Sequence, residues 1–194
     1  MLTTYLSSAF DTVDISILIR KLEFYEVGKN TLELMESYLT DRKQYTELQN
    51  KQSNMVDSLP YSVVQGSKLS TLMYTIYTNE IPLLHQLLKN PIWMIKNLQK
   101  TVTNYSSVTH LTVNYIDDST SIIGFEDSDQ ANHYLNNFFS VLKEVYNANR
   151  LFINAEKTGL ICVARPQTRV IKDEIYIYAQ PKNIVCKPQI KLLG

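Results

Sequence analysis

His110-Leu111-Thr112-Val113-Asn114-Tyr115-Ile116-Asp117-Asp118-Ser119-Thr120-Ser121-Ile122-Ile123-Gly124 reads as two strands joined by an acidic tip. Polarity alternates through His110–Ile116 and again through Ser119–Gly124, the period of a half-buried strand. Asp117 and Asp118 fall between the two runs, so the segment is a hairpin with both acids at its turn. Two ionised carboxylates about 4 Å apart repel by roughly 4 kcal/mol at an effective dielectric near 20. A turn that keeps such a pair facing inward calls for a cation, and Mg²⁺ suits because it takes oxygen ligands and bridges to phosphates. Asp also tolerates turns. On Tyr115-Ile116-Asp117-Asp118 alone, a solvated hairpin tip is the simpler reading.

Working outward, the pattern alternates between elements. Leu2–Leu6 suits a short strand. Asp14 or Ser16 can cap a helix carrying Ile15, Leu18, Ile19 and Leu22, which Gly28 should break. A second helix fits Thr31–Leu39, with Leu32, Leu34, Met35 and Leu39 as its apolar set. Arg42–Leu48 and Met55–Val64 read as strands around a turn at Asn50-Lys51-Gln52. A helix from Ser70 to about Leu87 meets Pro82, which should bend or break it. Residues 89–109 have weak periodicity and read as an insertion or long loop. Ser128–Asn147 is an amphipathic helix whose stripe is Ala131, Tyr134, Leu135, Phe138, Leu142 and Val145. Leu151–Ile153, Gly159–Ala164, Ile175–Tyr178 and Ile184–Cys186 are further strand candidates. This order predicts an α+β fold, an antiparallel sheet with helices packed on one face.

The chain has 194 residues, 44% of them hydrophobic. That is enough to bury a core, and it argues against wholesale disorder. Lys+Arg 19 balance Asp+Glu 19, so no whole-chain electrostatic grip on nucleic acid is expected, although a local basic patch is not excluded. Arg165, Arg169 and Lys172 form the one loose cluster, most simply a solvated loop. His85, His110 and His133 are scattered and read as structural or solvated, and Trp93 sits in the expected insertion. Cys162 and Cys186 make no zinc pattern and are expected to be reduced thiols. No run approaches a membrane span, and Met1–Thr4 lacks the marks of a signal peptide. A soluble intracellular protein is expected, nuclear or cytoplasmic.

Four other segments give the acidic hairpin a context. Leu6-Ser7-Ser8-Ala9-Phe10-Asp11-Thr12-Val13-Asp14 precedes it. Val64-Gln65-Gly66-Ser67-Lys68-Leu69-Ser70 opens a helix. Leu151-Phe152-Ile153-Asn154-Ala155-Glu156-Lys157-Thr158 follows the long helix, and Leu192-Leu193-Gly194 closes the chain. In order and spacing these five resemble the palm of reverse transcriptases, most of all those of non-LTR (LINE-like) retrotransposons. Those palms carry D-L-S-x-A-F-D-T-V, P-Q-G-S, F/Y-A-D-D, L-N-x-x-K-T and x-L-G. The resemblance covers nearly all of residues 1–194.

It implies RNA-directed DNA polymerase chemistry, a nucleotidyl transfer onto a primer 3′-hydroxyl that uses two metal ions, Mg²⁺ or alternatively Mn²⁺. Asp117 and Asp118 match the family's paired metal-binding carboxylates, Asp117 as the more direct ligand. Phe10, beside Ala9, matches the bulky residue under the nucleotide sugar. Gln65 and Gly66 match the segment that approaches template and incoming nucleotide, Gly66 because a small residue permits close approach. Tyr115 opens the YIDD motif and belongs with the template- and nucleotide-contacting residues. Lys157 matches the late lysine, a proton donor to pyrophosphate, and read alone is a solvated lysine beside Glu156. The implied partners are an RNA or DNA template-primer and a dNTP.

The departures point the other way. Tyr5 stands where the family has a third carboxylate, and a phenol with a reference pKa of about 10 supplies no charge near neutrality. Asp11 lies six residues on, roughly 20 Å along a strand, and Asp14 reads as a cap. Val64 replaces the proline before Gln65, which loosens that turn. Fingers and thumb are not in this span, so a partial palm is expected, with those parts supplied by a longer polypeptide. The sequence therefore predicts a palm impaired as a polymerase. The alternative is a non-catalytic nucleic-acid-binding or scaffold protein derived from a retroelement.

Overall fold

A computed structural model describes residues 1–57, 61–81, 84, 108–163, 175–180 and 182–187. The chain divides into two compact units, one of Met1–Ser7, Asn79–Ala148 and Phe152–Gly194, the other of Ser8–Thr78 and Asn149–Leu151.

The first unit is built on an antiparallel sheet. Strand β6 (Thr109–Tyr115) pairs with β7 (Asp118–Gly124), β7 with β1 (Leu2–Thr4), and β1 with β8 (Gly159–Leu160). Register places Leu2 beside both Ser121 and Leu160, and Thr4 beside Ser119. One face carries His110, Thr112 and Ser121, and the Ser128–Ala148 helix, here α4, packs there. His110 Nδ1 lies 2.7 Å from the Tyr134 hydroxyl, and its ring meets Phe138 edge-on at 4.7 Å. The buried stripe of α4 is Ala131, Tyr134, Leu135, Phe138, Phe139, Leu142 and Tyr146. Tyr146 takes the place expected for Val145, because the helix turns 100° per residue and its last buried position falls one residue later.

A short pair, β9 (Tyr176–Ile177) with β10 (Ile184–Val185), completes the described part of this unit. Two asparagines one turn apart on α4 secure it. Asn132 Oδ1 accepts from Tyr176 N–H, Asn136 Nδ2 donates to Tyr176 C=O, and Asn136 Oδ1 accepts from Tyr178 N–H. Side-chain amides thus satisfy backbone groups of a two-residue strand.

Cys162 and Cys186 are joined in a disulfide, which corrects the expectation of two reduced thiols. The backbone brings them together: Leu160 bridges Cys186 in parallel, and Lys187 N–H donates to Leu160 C=O at 2.7 Å.

The second unit holds α1 (Ile15–Phe24), α2 (Lys29–Leu39) and α3 (Lys68–Tyr77), with one nested hairpin between α2 and α3, in which β3 (Glu47–Leu48) and β4 (Lys51–Gln52) pair inside β2 (Lys43–Gln44) and β5 (Val56–Asp57). Asp14 caps α1, its carboxylate accepting from Ile17 N–H at 3.0 Å. Glu26, at φ 60°, makes the turn after α1, whereas Gly28 is extended and caps α2. The chain reverses at Gln49-Asn50, where both φ values are positive, rather than at 50–52. This is the twist-matched two-residue hairpin. The outer arms of that hairpin pair Lys43 with Asp57 and Gln44 with Val56. On α2 only Leu39 is buried, and Leu34 stays 64% exposed. Helix α3 starts at Lys68 and ends at Tyr77, five residues short of Pro82, so the expected helix to Leu87 stops earlier. Its end is a turn in which Thr78 N–H bonds back to Tyr74 C=O. The expected insertion at 89–109 lies outside the described residues as far as 107, and Thr109 already belongs to β6.

Candidate active site

The acidic hairpin turns on two residues. Tyr115 and Asp118 pair across its end, leaving Ile116 and Asp117 as the loop. Asp118 is therefore the first residue of β7, not part of the tip. Ile116 sits at φ 57°, an outlier for a β-branched side chain and a store of about 1–3 kcal/mol of strain. The two-residue loop places the two acids differently, Asp117 in the turn and Asp118 on the strand.

A third residue follows β1. The paired register ends at Thr4↔Ser119, and Tyr5 and Asp118 each lie one residue beyond that pair. Burial raises the Tyr5 phenol, and the charge on Asp118 raises it further. The Asp118 carboxyl is itself raised, first by burial and then by Asp117. Tyr5 thus stands as a neutral phenol near Asp118, whose carboxyl Asp117 crowds in turn. Among the described residues no group of three or more His, Cys, Asp or Glu side chains is placed to hold a metal ion.

Two supports lie under this cluster, the first of them missed by sequence reasoning. Tyr146 of α4 is buried, and its hydroxyl hydrogen-bonds Ser119 beside the acids. Burial foremost, and the nearby Asp117 charge, push its phenol well above the usual tyrosine range. The other support is the turn of residues 154–158. Asn154 Oδ1 accepts from Lys157 N–H at 3.0 Å, and the Thr158 hydroxyl donates to Asn154 C=O at 2.7 Å. Tyr5 N–H reaches Thr158 Oγ1 at 3.4 Å, and Asn154 N–H donates to Tyr5 C=O at 2.8 Å. The Asn and Thr of this motif therefore hold the Tyr5 backbone. The Lys157 ammonium is exposed on the same turn, and Tyr115 is 63% exposed. The signal for Tyr146 was its helical spacing from Leu142 and Phe139. Nothing in the sequence tied it to Ser119.

The remaining predicted residues lie in the second unit. Ala9 is buried, and Phe10 stacks on Tyr74 with centroids 4.8 Å apart. The turn holding them is closed by Asp11 N–H to Ser8 C=O at 2.9 Å. Val63 N–H donates to Phe10 C=O at 3.0 Å, and Gln65 Nε2 donates to Asp11 Oδ1 at 3.0 Å. Phe10 and Gln65 are thus brought together through backbone and side chain. Gly66 sits at φ 83° with open space around it, so conformation rather than crowding selects glycine. Asp11 is occupied by Gln65 and Asp14 by its cap, so neither stands in for the carboxylate absent at position 5. The Leu192-Leu193-Gly194 motif and Arg165, Arg169, Lys172, His85 and Trp93 lie outside the described residues.

No match was found among curated proteins. Among solved structures the chain is similar to apo telomerase from Candida tropicalis truncated from its C-terminal domain. The TM-score is 0.52 at 13% identity, covering 95% of this chain and 33% of that one, so the chain spans a third of its length. The likeness is one of fold. A family model described as reverse transcriptase (RNA-dependent DNA polymerase) matches residues 1–194. A palm-type antiparallel sheet with an acidic hairpin, covered end to end by that model, places this chain in the reverse transcriptase family.

Proposed function

We propose that this chain is the palm of an RNA-directed DNA polymerase, of the non-LTR retrotransposon type, whose nucleotidyl transfer is impaired at Tyr5. The observation that carries the reading is the Tyr5 phenol within electrostatic reach of Asp118, at the position where the family motif has a carboxylate. Asp117 and Asp118 offer oxygen donors and crowded negative charge, which fit one hard cation and leave the family's pair of ions a ligand short. They would hold Mg²⁺, which when bound stabilises charge on phosphoryl oxygens. Ala9, Phe10, Gln65 and Gly66 form the sugar and template side of the reading, with Tyr115 at the acidic hairpin. Lys157 is the candidate proton donor to the leaving pyrophosphate. Template-primer and dNTP are the partners.

Primer extension on an RNA template, with Mg²⁺ or Mn²⁺, tests this by comparing the natural chain with Tyr5→Asp. Extension by Tyr5→Asp alone is the expected result. Extension by the natural chain that is lost in Asp117→Asn would show that the phenol does not disable the site. Silence from both, with salt-dependent binding of the template-primer retained, would favour the second reading, a non-catalytic nucleic-acid-binding protein of retroelement origin. Tyr5, standing where the family motif has its third carboxylate, is the observation behind that reading.

A further inference from the structure

Cys162 and Cys186 are the only cysteines in the sequence, and the fold bonds them across a separation of 24 residues. Their Cα atoms stand 6.0 Å apart, within the range a disulfide spans without backbone movement. Both residues are half-buried. A cavity of about 570 Å³ has Cys162 in its wall together with the apolar Phe125, Leu135 and Leu160 and the acids Glu126 and Asp127, and Cys186 is not among its lining residues. That volume suits a small organic ligand.

We propose that the Cys162–Cys186 bond is a thiol–disulfide exchange site for low-molecular-weight thiols of the glutathione class, with Cys162 the sulfur attacked and β10 the element released. A thiolate entering the cavity forms a bond to Cys162 Sγ as the Sγ–Sγ bond breaks, and Cys186 leaves as a thiolate that takes a proton from water. A second thiolate attacks the small-molecule sulfur of the mixed disulfide, releasing Cys162 and the oxidised small disulfide. Two electrons pass from two thiols to the protein.

The consequence is local. The β9–β10 pair is two residues long on each strand, too short to persist unaided. Asn132 and Asn136 hold β9. On the opposite side β10 is tied to β8 by the Leu160–Cys186 bridge, the Lys187 N–H bond to Leu160 and the disulfide. Cutting the covalent tie leaves β10 with the weaker two. Disulfides persist in oxidising compartments and are reduced in others, so the state of β10 follows its surroundings. This holds whether or not the palm extends a primer.

The test titrates the natural chain through glutathione buffers from oxidised to reduced, alkylates free thiols at each step and maps the peptides by mass. At the oxidised end the two cysteine peptides should be joined and unalkylated, and at the reduced end both should be alkylated. Reduction should lower Tm on the order of 5 to 10 °C. Oxidised glutathione should modify Cys162 in Cys186→Ser at least about ten times faster than Cys186 in Cys162→Ser, since only Cys162 faces the cavity. Two free thiols at every buffer, or a bond only between molecules, would overturn the site. An unchanged Tm would overturn the release of β10, and equal rates would overturn the direction of attack. The titration needs no variant, so a serine variant that fails to fold leaves it decisive.

Discussion

Asp118 is a half-buried carboxyl at the start of β7, beside a second acid, Asp117. Its carboxyl is held above the ordinary 3.8 by burial and by Asp117. Between the unfolded and the raised folded value, the folded chain therefore binds more protons, and stability falls as pH rises through that window. Asp118→Asn should raise stability at pH 7 by at most about 1 kcal/mol, because solvent screens a partly exposed group. The gain should vanish below about pH 3.8, where both states are protonated. Thermal unfolding of both chains across pH checks this. Tyr5→Asp should have the opposite effect at pH 7, adding a third charge and lowering Tm. Mg²⁺ should then raise the Tm of Tyr5→Asp more than that of the natural chain, since linkage rewards the state that binds.

At the scale of elements, caps and side-chain amides hold what the short strands cannot. Burial raises the Asp14 carboxyl, but the Ser16 hydroxyl, the Ile17 N–H and the Arg150 guanidinium outweigh it and leave it below its usual value. The stability this contributes is present above the unfolded value and is lost as pH falls through the folded one. Asp14→Ala should cost about 1 to 2 kcal/mol through the lost cap, read as a lower midpoint in urea at unchanged slope. Asn136→Ala removes a donor to Tyr176 C=O and an acceptor from Tyr178 N–H. It should cost about 1 to 3 kcal/mol, with faster amide exchange at Tyr178 as its local signature. The helices themselves followed from periodicity, while their ends depended on cap geometry such as Glu26 and Thr78, which spacing does not encode.

On the scale of the whole molecule, each compact unit has its own polar centre. In the second unit the Tyr77 hydroxyl accepts from Asp14 N–H at 3.2 Å and donates to Asn149 C=O at 2.6 Å. The Lys21 ammonium lies 4.8 Å from the centroid of the same ring and donates to Tyr77 C=O. Tyr77 is fully buried. Tyr77→Phe should therefore cost about 1 to 3 kcal/mol. Hydrogen exchange should quicken in α1 and α3 more than in β6, β7 and α4. Uniform acceleration through both units would show that Tyr77 acts on the fold as a whole.

Local chemistry settled much of this protein in advance. Alternation marked β6 and β7, the 3.6-residue stripe marked α4, and the five ordered motifs carried the family, because each depends on neighbours in the chain. The identity of Tyr5 was equally plain, since a phenol cannot become a carboxylate in any fold. What needed tertiary structure was everything set by approach between distant residues. The approach of Tyr5 to within electrostatic reach of Asp118, the Asn154 and Thr158 bonds beneath it, Tyr146 under Ser119, the asparagines that complete β9 and the pairing of Cys162 with Cys186 all join residues far apart in sequence. Such contacts exist only after the chain has met the entropy cost of closing long loops, and no local pattern records which partner each residue will find.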